Sequence, residues 1–302
     1  MVMIPKPVRD IWVAKCNREH VYGDTAYSIN TIDAFFTHPV LSPDGAKIVF
    51  WGGERHSVGV WIADLTNNCS AEKLTSESEV CGHPDWSPDS RQIVYFCSHG
   101  KNRGPYLPPW GDNESNFASR DIWILDVTSG KKTQITDDSR DNERPAWSPD
   151  GQHIAYVSSD NGYKNLCVMK RSSGISRPIT DERGILYRPA WHPDGSLLAF
   201  NNKGAGSHYL WTVDMADTGI KQLTHPETDS RLVHDHGAFW SKDGKDVLFH
   251  SDRSGQWGLW IVGSQGDNLR EIELRGVLQP SHASWDREER LIGFDASKGR
   301  ES

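Results

Sequence analysis

A pattern of apolar and polar positions recurs along this chain of 302 residues. Each copy begins with a short strand that ends in Trp or Leu. A tight turn such as Ser-Pro-Asp-Gly follows, and then a strand of alternating small and large apolar residues. In such a turn proline presets φ and glycine accepts positive φ. A third strand and a short fourth, ending in Leu-Thr or Ile-Thr, complete the copy. The pattern therefore predicts repeated units of four antiparallel strands.

Six copies of this unit follow one another at blade-like intervals. Their final strand residues, here called anchors, recur every 44 to 61 residues and are Leu41, Trp86, Trp147, Trp191, Trp240 and Trp285. Such periods are typical of propeller blades, because one four-stranded unit cannot bury its faces alone. The sequence predicts an all-β, six-bladed β-propeller that occupies residues 1–302 as a single domain. A β-sandwich of scattered strands is the alternative, which six copies of one pattern disfavour.

The sixth copy supplies only two strands before the chain ends. Residues 10–16, DIWVAKC, match the third-strand segment DIWILDV at 121–127, and residues 21–29 suit an outermost strand. We therefore predict that N-terminal residues 10–29 complete the last blade. This closure removes free sheet edges, which otherwise invite aggregation.

Charge and composition narrow the classes of partner and compartment. The formal net charge of −8 argues against a nucleic-acid partner, since the phosphate backbone attracts basic surfaces. No apolar run reaches the roughly 18 residues of a membrane helix, so we expect no membrane partner, and the N-terminus lacks a signal-peptide core. Five cysteines at scattered spacings, without a Cys-x-x-Cys pair, indicate reduced thiols and a cytoplasmic protein.

The residue three before each anchor is expected to line one mouth of the central channel, here called the mouth position. In blade five, which has one extra residue, His236 lies beside the mouth position. Blades five, six, one and two are contiguous and carry histidine there, whereas blades three and four carry arginine. The residues concerned are His38, His83, Arg144, Arg188, His236 with Gly237, and His282.

These side chains indicate a metal on one side of the mouth and an anion clamp on the other. Neutral imidazoles favour a divalent transition metal such as Mn, Zn or Fe, and paired guanidinium groups recognise carboxylates. We predict that Gln279 and four histidines are metal ligands. The histidines are His38, His83, His236 and His282. Arg144 and Arg188 would bind substrate, with catalytic roles for Arg188, His234 and Tyr187. Two alternative interpretations remain. The same side chains could merely cap strands and line a solvated channel, or they could form a polar site without a metal.

Blade two carries an insertion at residues 98–120, between its second and third strands and therefore on the same face as the mouth. Its aromatic residues Tyr106 and Trp110 suit stacking on a sugar ring. A packed surface loop explains the insertion equally well.

The repeat resembles that of the TolB-type propellers over nearly the whole chain. The histidine-rich channel also looks similar to that of the oligogalacturonate lyases, related propellers with a manganese held by His and Gln. Gln279-x-x-His282 and His236 carry this second resemblance. The chain departs from that family at Ser284, where the family has a second histidine, and by having six blades instead of seven.

The second resemblance implies a metal-dependent carbon–oxygen lyase that acts on uronate-containing acidic oligosaccharides by β-elimination. Metal and arginine neutralise the carboxylate, and a base removes the adjacent proton. Two alternatives remain: a non-catalytic TolB-like propeller that binds a protein partner, and a metal-dependent sugar hydrolase on the same scaffold.

Overall fold

The computed structural model describes most of the chain. The described residues are 9–16, 21–29, 35–53, 58–67, 69–98, 120–160, 163–180, 188–204, 206–226, 232–272, 274 and 277–297. Within these ranges the regular secondary structure consists of 24 β-strands in six four-stranded sheets. No helix in the described part is long and apolar enough to cross a membrane.

The six sheets are the predicted blades, each listed here from its inner to its outer strand. Blade one has β3 (Phe35–Leu41), β4 (Lys47–Gly53), β5 (Gly59–Asp64) and β6 (Ala71–Lys73). Blade two has β7 (Val80–Trp86), β8 (Gln92–Ser98), β9 (Arg120–Asp126) and β10 (Lys132–Gln134). Blade three has β11 (Asp141–Trp147), β12 (His153–Asp160), β13 (Tyr163–Lys170) and β14 (Ile175–Pro178).

The remaining blades follow the same order, and the last one joins the two ends of the chain. Blade four has β15 (Ala190–Trp191), β16 (Leu197–Gly204), β17 (Ser207–Asp214) and β18 (Ile220–Gln222). Blade five has β19 (Asp235–Trp240), β20 (Asp246–Ser251), β21 (Gly258–Gly263) and β22 (Arg270–Ile272). Blade six has β23 (Leu278–Trp285), β24 (Leu291–Ser297), β1 (Arg9–Cys16) and β2 (Val21–Ile29).

The closure of blade six confirms the prediction from the truncated last repeat. Strand β1 pairs antiparallel with β24 in a continuous register that sets Trp12 opposite Phe294. Strand β2 then lies on the outer side of β1. The N-terminal strands thus supply the backbone partners that β24 would otherwise lack.

Hydrogen bonds explain why the repeat keeps its turn and strand-end residues. In the turns, the serine hydroxyl donates to the aspartate two residues on, as from Ser42 to Asp44 and from Ser87 to Asp89. The threonine that follows the short fourth strand accepts, through its hydroxyl, a backbone N–H from the first half of the third strand. Thr75 accepts from Val60 in this way, and equivalent bonds join Thr136 to Ile122, Thr180 to Leu166 and Thr224 to Leu210.

The hydrophobic core lies between neighbouring blades. One cluster packs Val40, Val49 and Val60 of blade one against Trp86 and Ile93 of blade two, and similar clusters fill the other blade interfaces. The anchor tryptophans also join the inner strands. Indole N–H groups donate to carbonyls of the preceding blade, from Trp86 to Val40, from Trp191 to Ala146 and from Trp240 to Ala190. These three bonds therefore join the inner strands of blades one and two, three and four, and four and five.

The prediction that all five cysteines are reduced thiols is wrong for two of them. Cys81 and Cys97 face each other across β7 and β8 and form a disulfide, while Cys16, Cys69 and Cys167 are free. Scattered spacing in the sequence hides this pair, because only the strand register places the two residues opposite each other. The disulfide removes one of the observations behind the expected cytoplasmic location, which stays a prediction.

Candidate functional site

The mouth position coincides with a β-bulge in the inner strands. The register shifts there in five of the blades, and the residue at the shift has positive φ. The φ values are 51° at His38, 48° at His83, 55° at Arg144, 69° at Gly237 and 48° at His282. A left-handed conformation is uncommon for residues other than glycine, and bulges redirect side chains next to functional sites. The same β-bulge thus places chemically different side chains around one mouth.

Seven imidazole rings form a continuous arc around the histidine side of the channel. The first histidine cluster consists of His38, His83 and His282, with ring centres 4.4 Å apart for His38–His83 and 3.6 Å for His38–His282. The second histidine cluster consists of His208, His234 and His236. His250 joins the two clusters, with its ring centre 4.3 Å from that of His282 and 5.5 Å from that of His236.

His250 occupies space that a mouth-position side chain would need in blade five. A Cβ atom on Gly237 would lie 3.1 Å from the His250 ring. The glycine therefore makes room for an imidazole that comes from the second strand, β20. Sequence reasoning missed His250 and also His208. The glycine at a position where the other five blades carry His or Arg was the available signal for His250, whereas His208 has no repeat-based signal.

Burial keeps most of the arc neutral. Desolvation lowers the pKa values of His38, His83, His236 and His250 well below that of a free imidazole. Neighbouring cations and histidines lower them further, because a second positive charge nearby is unfavourable. Neutral imidazoles carry a lone pair, which is the form that binds a metal ion.

A buried aspartate orients His282 in the first cluster. Oδ1 of Asp295 lies 2.8 Å from Nδ1 of His282, and Nε of Arg9 donates to Oδ2 of Asp295 over 2.6 Å. Burial raises the pKa of Asp295, but Arg9 and then His282 bring it down to about 2. The carboxylate therefore stays ionised and holds the proton of His282 on Nδ1. This leaves the Nε2 lone pair available, as in carboxylate–histidine–metal arrangements.

The second cluster has the same kind of support. Oδ2 of Asp252 lies 2.8 Å from Nδ1 of His234, and Oδ1 accepts the His234 backbone N–H over 2.9 Å. Nδ1 of His208 and Nε2 of His236 face each other at 2.5 Å. The ring of Trp257 lies beside His234, His236 and His250.

The rings of the arc bring potential metal-ligand nitrogens together in pairs, not in groups of three. Among the described residues, three ligand atoms that all lie within 4.8 Å of one another occur in Glu79, Cys81 and Cys97. The disulfide occupies both sulfurs of that group. No three imidazoles among the described residues meet this spacing, so a three-imidazole site requires its rings to move. Nδ1 of His83 is buried without a hydrogen-bond partner in the described structure, which suits a ligand atom.

Acidic partners restrain the arginine side. The carboxylate of Glu143 contacts three cations, with nitrogen–oxygen distances of 2.9 Å to Arg120, 2.6 Å to Lys164 and 3.5 Å to Arg144. Burial opposes the charge on Glu143, yet these cations hold its pKa below the usual range. Arg188 reaches past blade three to Asp85 of blade two, 2.5 Å away. Arg144 thus shares its acid with two other cations, whereas Arg188 has an acid of its own.

The structure divides the predicted site residues into separate groups. His38, His83 and His282 lie together, and His236 lies beyond His250 with His208 and His234. Gln279 is exposed at the start of β23, and its backbone carbonyl accepts a hydrogen bond from Arg9. Tyr187, Tyr106 and Trp110 lie outside the described residues, as does most of the insertion.

These features define a six-bladed propeller with a histidine-lined channel mouth. A family model described as the TolB beta propeller domain matches residues 124–301, more than half of the chain. The chain therefore belongs to the TolB β-propeller domain family, as the repeat predicted.

Three comparisons extend this assignment. The putative TolB of Agrobacterium tumefaciens superposes with a TM-score of 0.72 at 18% identity, over 97% of this chain and 99% of that chain. An oligogalacturonate lyase in complex with manganese gives 0.62 at 14% identity, over 92% and 81% of the two chains. The Tol-Pal system protein TolB of Alcanivorax borkumensis is 27% identical over 119 residues, which are 38% of this chain and 24% of that protein. At these identities the structural likeness concerns the fold alone.

Proposed function

We propose that the protein is a metal-dependent lyase that cleaves uronate-containing acidic oligosaccharides by β-elimination at the histidine-lined mouth. The arc of imidazoles carries the proposal: burial keeps four of them neutral, and Arg144 lies close enough to influence three of those four, His38, His83 and His236. A neutral nitrogen array beside a cation suits a metal ion next to a bound carboxylate.

The first histidine cluster is the proposed holder of the ion. Asp295 orients His282, and the buried Nδ1 of His83 lacks a partner among the described residues. When bound, a divalent transition ion supplies Lewis acidity that withdraws charge from the substrate carboxylate. His38, between the other two rings, completes the set. Gln279 is exposed at the same mouth, and a ligand role for it remains part of the proposal.

The protein's own groups supply binding and proton transfer. Arg144 is the proposed group that binds the uronate carboxylate, which competes with Glu143 for the guanidinium. The base is His234, whose Nε2 is left free to accept because Asp252 holds Nδ1. It takes the proton from the carbon next to the carboxylate. The electron pair forms the carbon–carbon double bond, and the glycosidic oxygen leaves and takes a proton from solvent.

Turnover of an oligosaccharide panel tests this proposal. The wild type should release a product with the ultraviolet absorbance of an unsaturated uronate from oligogalacturonates, and none from neutral analogues. Arg144→Ala should lower kcat/KM by about 10–150-fold, since a charge-assisted hydrogen bond contributes about 1.5–3 kcal/mol. Arg177→Ala, in the exposed outer strand of the same blade, is the matched control and should leave it unchanged. Full activity of Arg144→Ala, or a neutral sugar as the best substrate, contradicts the proposal.

A TolB-like role in binding a protein partner is the second candidate. It is favoured by the match to putative TolB over nearly the full length of both chains. The pairing of Arg188 with Asp85 also favours it, because a paired guanidinium is less available to substrate. Metal analysis separates the two functions: a stoichiometric transition metal after purification without added metal supports the lyase, and a metal-free protein supports the interaction module.

A further inference from the structure

We propose that blade two contains a metal site that forms when its disulfide is reduced. The thiolates of Cys81 and Cys97 and the carboxylate of Glu79 are its ligands, and a thiophilic divalent ion of the zinc class is its occupant. The site shares no ligand with the first histidine cluster and requires no activity at the channel mouth.

The three ligand atoms already lie close together. The sulfurs of Cys81 and Cys97 and a carboxylate oxygen of Glu79 are all within 4.8 Å of one another. A zinc–sulfur distance of about 2.3 Å in tetrahedral geometry separates two bound sulfurs by about 4 Å. The two cysteines are directly opposite each other in the register of β7 and β8. Rotation of their side chains therefore sets this separation once the covalent bond is broken.

Hydrogen bonds hold the Glu79 carboxylate at the outer edge of this group. Its Oε2 accepts from the Ser76 hydroxyl over 2.8 Å and from the Ser76 backbone N–H over 3.2 Å. Such partners fix the orientation of a ligating carboxylate before the ion arrives. The Glu79 side chain is 30% exposed, whereas both cysteines are buried. An ion can therefore enter from the side of Glu79, where water supplies the fourth ligand.

The charges of the occupied site are balanced by a neighbouring lysine. A divalent ion with two thiolates and one carboxylate carries a single net negative charge. The Nζ of Lys132 lies 3.7 Å from Oε2 of Glu79 and compensates that charge. Compensation matters here because the cysteines pack among apolar residues such as Val40 and Val60, and a charge in such surroundings is costly unless it is paired.

The repeat shows that the fold does not require a covalent bond at this place. In three other blades the same cross-strand position holds an aromatic residue with a glycine, an amide with a hydroxyl, or a carboxylate that accepts from a hydroxyl over 2.7 Å. These pairs are Phe36–Gly52, Asn142–Ser158 and Asp235–Ser251. Two residues before the inner member, these blades carry Ala34, Arg140 and Val233, where blade two carries Glu79. The sulfur pair and its carboxylate are therefore particular to blade two among these four blades.

Opening the site is a reduction. A phosphine breaks the sulfur–sulfur bond by giving two electrons. It takes up the oxygen of one water molecule, and the two protons of that water go to the two sulfurs. A dithiol achieves the same by thiol–disulfide exchange and becomes a disulfide itself. Zinc then displaces the two thiol protons and binds the thiolates. The reduced chain thus binds the ion, and the oxidised chain excludes it.

Cobalt titration of the purified full chain tests the inference, because cobalt bound to thiolates has a near-ultraviolet charge-transfer band that cobalt bound only to imidazole lacks. The chain reduced with a phosphine should show this band, and added zinc should abolish it. The oxidised chain should show none. The double variant Cys81→Ser, Cys97→Ser should lack the band in both states. Cys167→Ser, which removes a buried free thiol, should keep it. Thermal unfolding checks that each variant is folded.

Glu79→Gln tests the third ligand and leaves both thiols in place. It should weaken cobalt binding to the reduced chain by at least about 10-fold, because even a partner behind a ligand contributes about 10–100-fold to affinity. Glu77→Gln, at an exposed side chain of the same loop, is the matched control and should bind as the wild type does.

Three results would overturn the inference. They are a disulfide that the phosphine does not reduce in the folded chain, a reduced chain without the thiolate band, and equal affinity of Glu79→Gln and the wild type. None of them bears on the proposed function, because the imidazole ligands of the first histidine cluster give no thiolate band.

Discussion

The histidine side of the channel and the arginine side accommodate polar groups at one narrow mouth in different ways. On the histidine side burial makes the imidazoles neutral, and rings contact rings. On the arginine side each guanidinium stays charged and is paired with a carboxylate, Arg144 with Glu143 and Arg188 with Asp85. An imidazole can lose its proton when buried, whereas a guanidinium cannot. Lone pairs for a metal are therefore available on one side, and an incoming anion must displace an internal acid on the other.

The largest expected effect is that of Asp295→Asn, which removes the acid on which the first histidine cluster depends. The free energy of unfolding should fall by about 3–5 kcal/mol, because Arg9 would remain buried without its charged partner. Urea unfolding measures this loss. Asp252→Asn is the contrast on the same side of the channel and should cost less than about 1 kcal/mol, since its histidine is partly exposed. Equal losses in the two variants would show that the buried ion pair contributes little.

The same aspartate, Asp295, makes the free energy of unfolding of the wild type depend on pH under acidic conditions. Its folded pKa of about 2 lies below the value of about 3.9 in an unfolded chain, so the stabilisation is complete above pH 4. It is lost as the pH falls from about 4 through about 2. In Asp295→Asn this part of the acid dependence should be missing from unfolding curves recorded across that range.

The disulfide strengthens the blade that carries His83, at one end of the histidine side. Replacing both Cys81 and Cys97 with serine should lower the free energy of unfolding by about 3 kcal/mol, the entropic value for a closed loop of this length. A reductant should lower the melting temperature of the wild type but not of the double variant. Cys167→Ser, a buried free thiol, should keep the response to reductant. If reduction leaves the wild type unchanged, the bond contributes no stability.

On the arginine side, Asp85→Asn should release Arg188 for an external carboxylate. Binding of an acidic oligosaccharide, measured by calorimetry, should tighten about tenfold, which corresponds to about 1.4 kcal/mol. The gain should vanish in a double variant that also carries Arg188→Ala. A gain that survives in the double variant would mean that Asp85 repels the ligand directly instead of holding Arg188.

The smallest effect is expected at Gly237, where the histidine side departs from its own repeat. Gly237→Ala should cost about 1 kcal/mol for its positive φ, and somewhat more because the new Cβ would press on His250. Gly130→Ala is a matched control with the same φ of 69° and no atom within 4 Å of the new Cβ. The difference between the two variants in thermal unfolding isolates the His250 contact. If both lose the same stability, His250 has room to move.

The fold was predictable because its determinants are local and repeated. The Ser-Pro-Asp-Gly turn, the anchor tryptophan and the strand-ending threonine each make a hydrogen bond that recurs in several blades, as Trp86 and Thr75 illustrate. Six copies of such signals predict the blades, and the truncated sixth copy predicts the role of residues 10–29. The mouth position was predictable for the same reason, since it is counted from the anchor.

Tertiary structure alone decided which of those side chains meet and how they are charged. His208 and His250 come from outer positions in their blades, and the acids that orient or restrain the site, Asp295, Asp252 and Asp85, lie far along the chain from some of their partners. The Cys81–Cys97 bond likewise depends on the register of one hairpin. The physical reason is that a local pattern specifies backbone hydrogen bonds and burial, whereas proton positions, ring contacts and ion pairs depend on distances between blades that only the closed ring sets.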